Sequence, residues 1–160
     1  VLRTAGAGTN SANCPLIAVG GTRCNGSNPP KYLNAEFNQV LVRTEGLAWG
    51  RAGEGEALPL REGGKLALWA EVGNTGEATW LPPQSATGRQ GGVYLVVEQS
   101  GKVVARAPLQ KEVLRYADGE FVVEFAPAQV SEGEIRLYLE AAERTPFGER
   151  YRLRVGRAQP

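Results

Sequence analysis

Carboxylate pairs are the first residues of this 160-residue sequence whose spacing would allow chemistry. Glu54 and Glu56 are separated by one residue, and so are Glu132 and Glu134. Two neighbouring carboxylates can act as the acid and the nucleophile or base of a glycosidase. Both pairs lie in glycine-rich turns, where charged side chains are ordinarily solvated. We therefore interpret them as surface charges rather than as a catalytic pair.

The sequence lacks the residue types on which most other catalytic and metal sites depend. It contains no His, and Asp118 is its only Asp. Without His, Ser-His-Asp and Cys-His catalysis are excluded within this chain, and the most common zinc ligand is missing. A single Asp cannot supply a calcium loop with Asp at alternate positions. The composition predicts a protein that is not an enzyme and that holds neither a metal nor a cofactor.

The two cysteines, Cys14 and Cys24, enclose nine residues. A redox pair would need the Cys-x-x-Cys spacing, which is absent. A structural disulfide is the preferred interpretation; it would contribute about 2–3 kcal/mol on the chain-entropy model. It would also imply an oxidising location outside the cytoplasm. Asn25-Gly26-Ser27 matches an N-glycosylation acceptor, and the sequence leaves its modification open.

Charge and hydropathy exclude two classes of partner. Lys and Arg number 18 against 17 Asp and Glu, so there is no broad basic field of the kind that nucleic-acid binding requires. No apolar run approaches the roughly 18 residues that span a bilayer. The chain begins at Val1 rather than Met, from which we predict a processed, secreted protein; a fragment is the alternative. The absence of Met, with many Glu, Arg and Leu residues, is compatible with a thermophilic source.

Residues 1–32 differ in composition from the rest of the chain and are predicted to form an N-terminal arm. The segment is rich in Gly, Asn and Ser, and its only charged side chains before position 31 are Arg3 and Arg23. Such a composition buries too little apolar surface to fold by itself. One apolar run, PLIAV at residues 15–19, lies inside the predicted disulfide loop.

From residue 33 onward, apolar and polar residues alternate in short runs separated by Gly and Pro. The alternation predicts strands at residues 36–44, 65–72, 92–98, 102–107, 120–125, 134–140 and 150–155. Ser100-Gly101 predicts a hairpin turn between two of them. About seven short strands without a helical stripe are typical of an antiparallel β-sandwich, so we predict an all-β domain over residues 33–157.

The stretch GNTGEATWLPP at residues 73–83 follows the clearest of these strands. Together with the strands on either side it resembles the Ig-like NTG…TW domains, which are appended to bacterial secreted hydrolases and cell-surface proteins and have a relative in an autophagy cargo receptor. The resemblance covers about residues 34–156; the matching residues are Asn74, Thr75, Gly76, Thr79 and Trp80. It implies an Ig-like fold and a non-catalytic role. The glycine-rich stretch at residues 46–64 departs from the family pattern.

The three tryptophans invite two interpretations. Trp49, Trp69 and Trp80 could form a platform that stacks on sugar rings. We interpret Trp80 as a core residue, because a buried indole anchors such sheets. Trp69 alternates with Leu66, Leu68, Ala70 and Val72, so it is expected to point away from the core. An outward Trp in a strand indicates contact with another chain, with the arm or with a ligand.

Two functions remain as expectations from the sequence. The first is a secreted, self-assembling subunit of a pilus-like extracellular filament, in which the arm donates a strand to the next copy. The subunit-contact candidates are Leu16, Ile17, Ala18, Val19 and Trp69. The alternative is an accessory domain of a secreted glycan-active or cell-surface protein, whose partner would be a polysaccharide or a neighbouring domain.

Overall fold

The computed structural model describes residues 23–24, 32–44, 46–60, 64–85, 92–141 and 146–157. These residues form an all-β protein, as predicted, with two short 3-10 turns at Pro83–Ser85 and Pro127–Gln129 and no α-helix among them. The strands in chain order are β1 (Arg23–Cys24), β2 (Tyr32–Leu33), β3 (Ala35–Thr44), β4 (Gly50–Arg51), β5 (Ala57–Leu60), β6 (Leu66–Asn74), β7 (Val93–Gln99), β8 (Lys102–Pro108), β9 (Asp118–Phe125), β10 (Gly133–Ala141) and β11 (Pro146–Arg157).

Two sheets pack against each other as a sandwich. One has five strands in the order β5-β11-β10-β7-β8, and the other has four in the order β4-β3-β6-β9. All neighbours are antiparallel except β5 and β11, which are parallel. The chain changes sheet five times: between β4 and β5, β5 and β6, β6 and β7, β8 and β9, and β9 and β10. A separate ribbon pairs β1 with β2.

The prediction of about seven strands was too low. All seven predicted strands are present as β3 and β6 to β11, and the two sheets hold two more, β4 and β5. β4 has only two residues, and β5 contains Pro59 and shows no alternation of apolar with polar residues. Neither strand carries the period-2 signal by which the others are recognised.

The core lies between the sheets and is built by alternation along the strands. Leu66, Leu68, Ala70 and Val72 of β6 are buried, and so are Phe121, Val123 and Phe125 of β9. Val96 and Tyr138, which alternation places on the outer face, are buried as well. They lie opposite each other in the pairing of β7 with β10, and the Arg150 guanidinium covers the Tyr138 ring at 4.9 Å from its centroid. Side chains on the five-stranded sheet thus shield part of its outer face.

Trp80 fills the core at one end of the sandwich. Its side chain is 0% exposed, and its ring centroid lies 5.9 Å from that of Phe147. The backbone of Trp80 forms a bridge with Val113, with N–H···O distances of 2.9 and 3.0 Å in the two directions. This bridge holds the connection between β8 and β9 against the segment that follows β6.

Candidate interaction surface

Asn74, the last residue of β6, has a completely buried polar side chain that joins three segments. Its Nδ2 donates to the carbonyl oxygens of Ala78 at 2.8 Å and Val113 at 3.2 Å, and its Oδ1 accepts from the Gly76 N–H at 3.1 Å. A buried amide with its partners in place rigidifies its surroundings, and its removal leaves buried backbone groups without partners. The Asn-Thr-Gly turn is therefore a structural joint.

The glycine of this turn allows the incoming chain to lie directly against it. The Tyr32 carbonyl oxygen accepts hydrogen bonds from the N–H groups of Glu77 and Ala78, both at 2.9 Å. A Cβ on Gly76 would lie 2.7 Å from that oxygen and 2.6 Å from the Asn34 nitrogen. The chain thus enters the domain beside the Asn-Thr-Gly turn, at the end of the four-stranded sheet where β6 finishes and β9 begins.

An exposed turn at residues 114–117, called here the 114–117 turn, is held by the same joint. Tyr116 is 76% exposed and has a φ of 66°, and Leu114 is 58% exposed. The Tyr116 N–H donates to the Asn74 carbonyl at 2.8 Å, and the Asn74 N–H donates to the Ala117 carbonyl at 2.9 Å. A left-handed conformation costs a bulky residue about 1–2 kcal/mol, so these bonds stabilise a strained, exposed aromatic residue.

β9 is the long open edge of the four-stranded sheet. It pairs with β6 over its whole length, and among the described residues no strand pairs with its other side. Its side chains alternate between buried and exposed, and the exposed ones are Asp118, Glu120, Val122 and Glu124. Acidic side chains on an edge strand oppose pairing with an identical edge, because like charges would meet.

A groove of about 590 Å³ runs beside this edge. One wall is the connection from Pro108 to Val113, and the other is formed by Glu71 and the start of β9 as far as Val122. Its carboxylates outnumber its cations, since Lys111 is the only basic residue that lines it. The exposed fraction of Val122 is 51%, which leaves an apolar side chain uncovered at the groove.

Two tryptophans lie outside the core of the four-stranded sheet. Trp69 is half-buried and occupies the outer face, in register with Leu41 on one side and Val122 on the other. Trp49 is also half-buried, and the Arg43 guanidinium lies 4.6 Å from the centroid of its ring. The outer face therefore presents apolar and aromatic side chains together with cations and carboxylates.

The outer face of the five-stranded sheet carries a polar network. The Tyr138 hydroxyl donates to Glu98 Oε2 at 2.9 Å, and Arg106 forms a 3.2 Å salt bridge with Glu140. Burial, followed by the hydrogen bond and charge of Glu98, raises the pKa of Tyr138 to about 12. A hydroxyl that resists ionisation in this way is a poor nucleophile at neutral pH.

One glutamate of each predicted pair accepts a hydrogen bond within the fold. Glu134 accepts a 2.8 Å hydrogen bond from Arg136 Nε, and Glu56 Oε2 accepts from the Gly53 N–H at 3.1 Å. In the part of the chain that the structure describes, no group of three or more acidic or Cys side chains is placed to hold a metal ion. That part also contains no helix with the length and apolar character needed to cross a membrane.

Several residues singled out by the sequence fall outside the described residues. They are Cys14, Leu16, Ile17, Ala18, Val19 and the acceptor Asn25-Gly26-Ser27, so the disulfide, the apolar run of the arm and the glycosylation site remain predictions. Of the motif residues, Asn74, Gly76 and Trp80 are buried, Thr79 is partly buried and Thr75 is exposed. The 114–117 turn and the groove were not predicted from the sequence, because both depend on how separate segments meet.

Comparison of the chain with models of protein families, with characterised proteins and with solved structures finds no match in any of the three.

Proposed function

We propose that this protein is a non-catalytic, secreted structural module with an Ig-like fold, and that copies of it assemble into an extracellular filament. Each copy would donate its N-terminal arm as an additional strand to a sheet of the next copy. Strand addition of this kind obtains affinity from main-chain hydrogen bonds and specificity from alternate side chains. A head-to-tail contact does not close on itself, so it propagates.

The observation that carries the proposal is the pair of long open edges. Among the described residues, β8 with seven residues and β9 with eight each pair on one side only. An exposed edge is a template for another strand unless it is covered or blocked. A sandwich with two such edges has places for a donated strand.

The strand order supports the Ig-like part of the proposal. β3, β6 and β9 follow the order A-B-E of immunoglobulin domains, and β11, β10, β7 and β8 follow the order G-F-C-C′. β5 adds a further strand to this second sheet, parallel to the last strand, β11.

The arm has the length and the sequence that a donor requires. With the Cys14–Cys24 disulfide open, the 22 residues before β1 could reach about 70 Å if fully extended. They include the run PLIAV, in which Leu16 and Ala18 alternate with Ile17 and Val19. One row of such a strand can cover a core edge while the other faces outward.

Electron microscopy of purified protein tests the proposal. We expect filaments from the full chain and none from a chain that lacks residues 1–22. A variant with Leu16, Ile17, Ala18 and Val19 replaced by Ser is expected to behave like the truncation. A variant with Ser substituted at Ala5 and Ala7 is the control and is expected to assemble. A full-length protein that stays monomeric at high concentration would refute the proposal.

A second candidate function rests on the outer face of the four-stranded sheet. Trp49, with Arg43 against its ring, and Trp69 offer half-exposed indoles, which stack well on sugar rings. This favours an accessory domain that binds polysaccharide. Affinity electrophoresis in polysaccharide gels should then show retardation that Trp69→Ala abolishes. If the wild-type protein migrates unchanged in every polysaccharide gel, the accessory function is wrong.

A further inference from the structure

The two open edges differ in regularity. β9 pairs with β6 residue for residue from Phe125 opposite Leu66 to Asp118 opposite Gly73, without a register shift. The pairing of β8 with β7 is interrupted by a shift next to Val97 and Glu98, and β8 ends in Pro108. Bulges twist an edge and Pro removes a ladder donor, and both obstruct the addition of a strand. The regular edge is that of β9.

The edges also differ in charge. The exposed charged side chains of β9 are all acidic, namely Asp118, Glu120 and Glu124. Those of β8 are Lys102 and Arg106, both basic. Residues 1–22 contain one charged side chain, Arg3, and no carboxylate. Because the donor has no carboxylates, the acidic side chains of β9 do not repel it. Two β9 edges, by contrast, would repel each other.

Beside β9 there is exposed apolar surface that a donated strand would bury. Val122 is 51% exposed at the groove and supplies this surface; Leu109 and Val113 line the opposite wall but are themselves buried. The groove opens at the end of the sheet where Tyr32 is anchored, because Asp118 is paired with Gly73 and the Tyr32 carbonyl is bonded just beyond it. For the assembly to propagate head to tail, the arm must reach this end of the acceptor from a copy in the same orientation rather than from one that faces it.

Resting on the strand donation proposed above, we infer that the acceptor is the open edge of β9 together with its groove. The occupant is the segment of residues 1–22 from a neighbouring copy, with the run at residues 15–19 against Val122. The β8 edge stays unpaired in the assembly.

Site-specific photo-crosslinking distinguishes the two edges. A benzophenone amino acid is placed at Val122 on β9 or at Val103 on β8, which is a matched control because it is an edge-strand valine of similar exposure, 46%. Assembled protein is irradiated, separated on a denaturing gel and mapped by mass spectrometry. We expect a ladder of covalent oligomers from the Val122 position, with crosslinks into residues 1–22. The Val103 position should give no ladder.

Each of the other possible results would overturn a specific part of the proposal. Crosslinks into the arm from Val103 and not from Val122 would make β8 the acceptor and leave filament assembly intact. Mixing isotopically labelled and unlabelled chains separates crosslinks within one molecule from those between molecules. Crosslinks only within one molecule would mean that each arm occupies its own groove. Wild-type protein that forms no filament would refute the proposed function itself.

A second variant guards against loss of assembly by the bulky probe. Glu120→Lys combined with Glu124→Lys changes exposed side chains only and should leave the thermal unfolding temperature close to that of the wild type. We expect it to raise the critical concentration for filament formation several-fold, because lysine side chains on an edge strand obstruct the addition of another strand. Glu54→Lys, on an exposed turn far along the chain from β9, is the control for reversal of a surface charge and should leave the critical concentration unchanged. An unchanged critical concentration in the double variant would count against β9.

Discussion

The N–H of Tyr116 donates a 2.8 Å hydrogen bond to the carbonyl oxygen of Asn74, so the backbone of the most exposed aromatic residue described is fixed by that of a completely buried residue. The Asn74 N–H returns a bond of 2.9 Å to Ala117. These two backbone hydrogen bonds to Asn74 therefore stabilise the strained backbone of the 114–117 turn. A turn whose backbone is already ordered loses little backbone entropy when a partner covers it.

Substitution of Tyr116 should reverse the usual order of Ala and Gly. Both Tyr116→Ala and Tyr116→Gly remove the ring and its contact with Arg115, whose guanidinium lies 4.7 Å from the ring centroid. Only Gly adopts a φ near 66° without strain. We expect Tyr116→Gly to exceed Tyr116→Ala in free energy of unfolding by about 1 kcal/mol, measured by urea denaturation. Equal stabilities would show that the turn relaxes in solution.

Asn74→Ala is expected to destabilise the domain by about 2–4 kcal/mol, because it leaves the Ala78 carbonyl and the Gly76 N–H without their side-chain partner and removes one of the two hydrogen bonds that the Val113 carbonyl accepts. The control is Asn38→Ala, which removes an exposed 2.8 Å bond to Asp118 and should cost less than about 1 kcal/mol. Chemical denaturation of both variants gives the comparison. Similar losses from the two would contradict a special role of the buried amide.

Gly76→Ala should also destabilise, for a steric reason. The added Cβ would lie 2.6 Å from the Asn34 nitrogen, and backbone on the opposing segment must move to admit it. We expect a loss of about 1–3 kcal/mol in the free energy of unfolding. At Gly50 an added Cβ meets nothing within 4 Å, so Gly50→Ala is the matched control and should be nearly neutral. A neutral Gly76→Ala would mean that the chain at Tyr32 is not held against the turn.

The pH dependence of stability should contain a contribution from Tyr138. Burial and the hydrogen bond to Glu98 raise its pKa to about 12, above the ordinary value of 10, so the folded state retains this proton more tightly than the unfolded state. The contribution is complete below pH 10 and is lost as the pH rises from 10 to 12. Ultraviolet titration of phenolate absorbance in the wild type and in Tyr138→Phe measures the pKa of this hydroxyl in the folded state. If the difference between the two proteins develops at or below pH 10, the hydroxyl is not held as described.

Alternation was sufficient to predict the long strands, because the face of each strand that packs into the core carries apolar residues at every second position. Phe121, Val123 and Phe125 are buried while their neighbours are exposed, which is the pattern that the sequence displays directly. β5 could not be found in this way: it is short, contains Pro59 and depends on β11 for its partner. β5 therefore forms because of a tertiary contact and not because of its own sequence pattern.

The candidate surface was only partly accessible from the sequence. Trp69 could be assigned to the outer face because its neighbours in β6 are apolar on the other side. The groove arises where residues 108–113 meet β6 and β9, and no local pattern encodes that meeting. Tyr116 gave no signal either, because nothing in Leu-Arg-Tyr-Ala indicates a left-handed residue.

The parallel pairing of β5 with β11 bears on how the domain would respond to a pulling force. Ala57 lies opposite Arg154 and Leu60 opposite Arg157, so the two strands run side by side in the same direction. Tension entering at Ala57 and leaving at Arg157 would slide them past each other along their length. Their hydrogen bonds would then share the load at the same moment instead of opening one after another, which is the geometry in which a short pair of strands resists extension best.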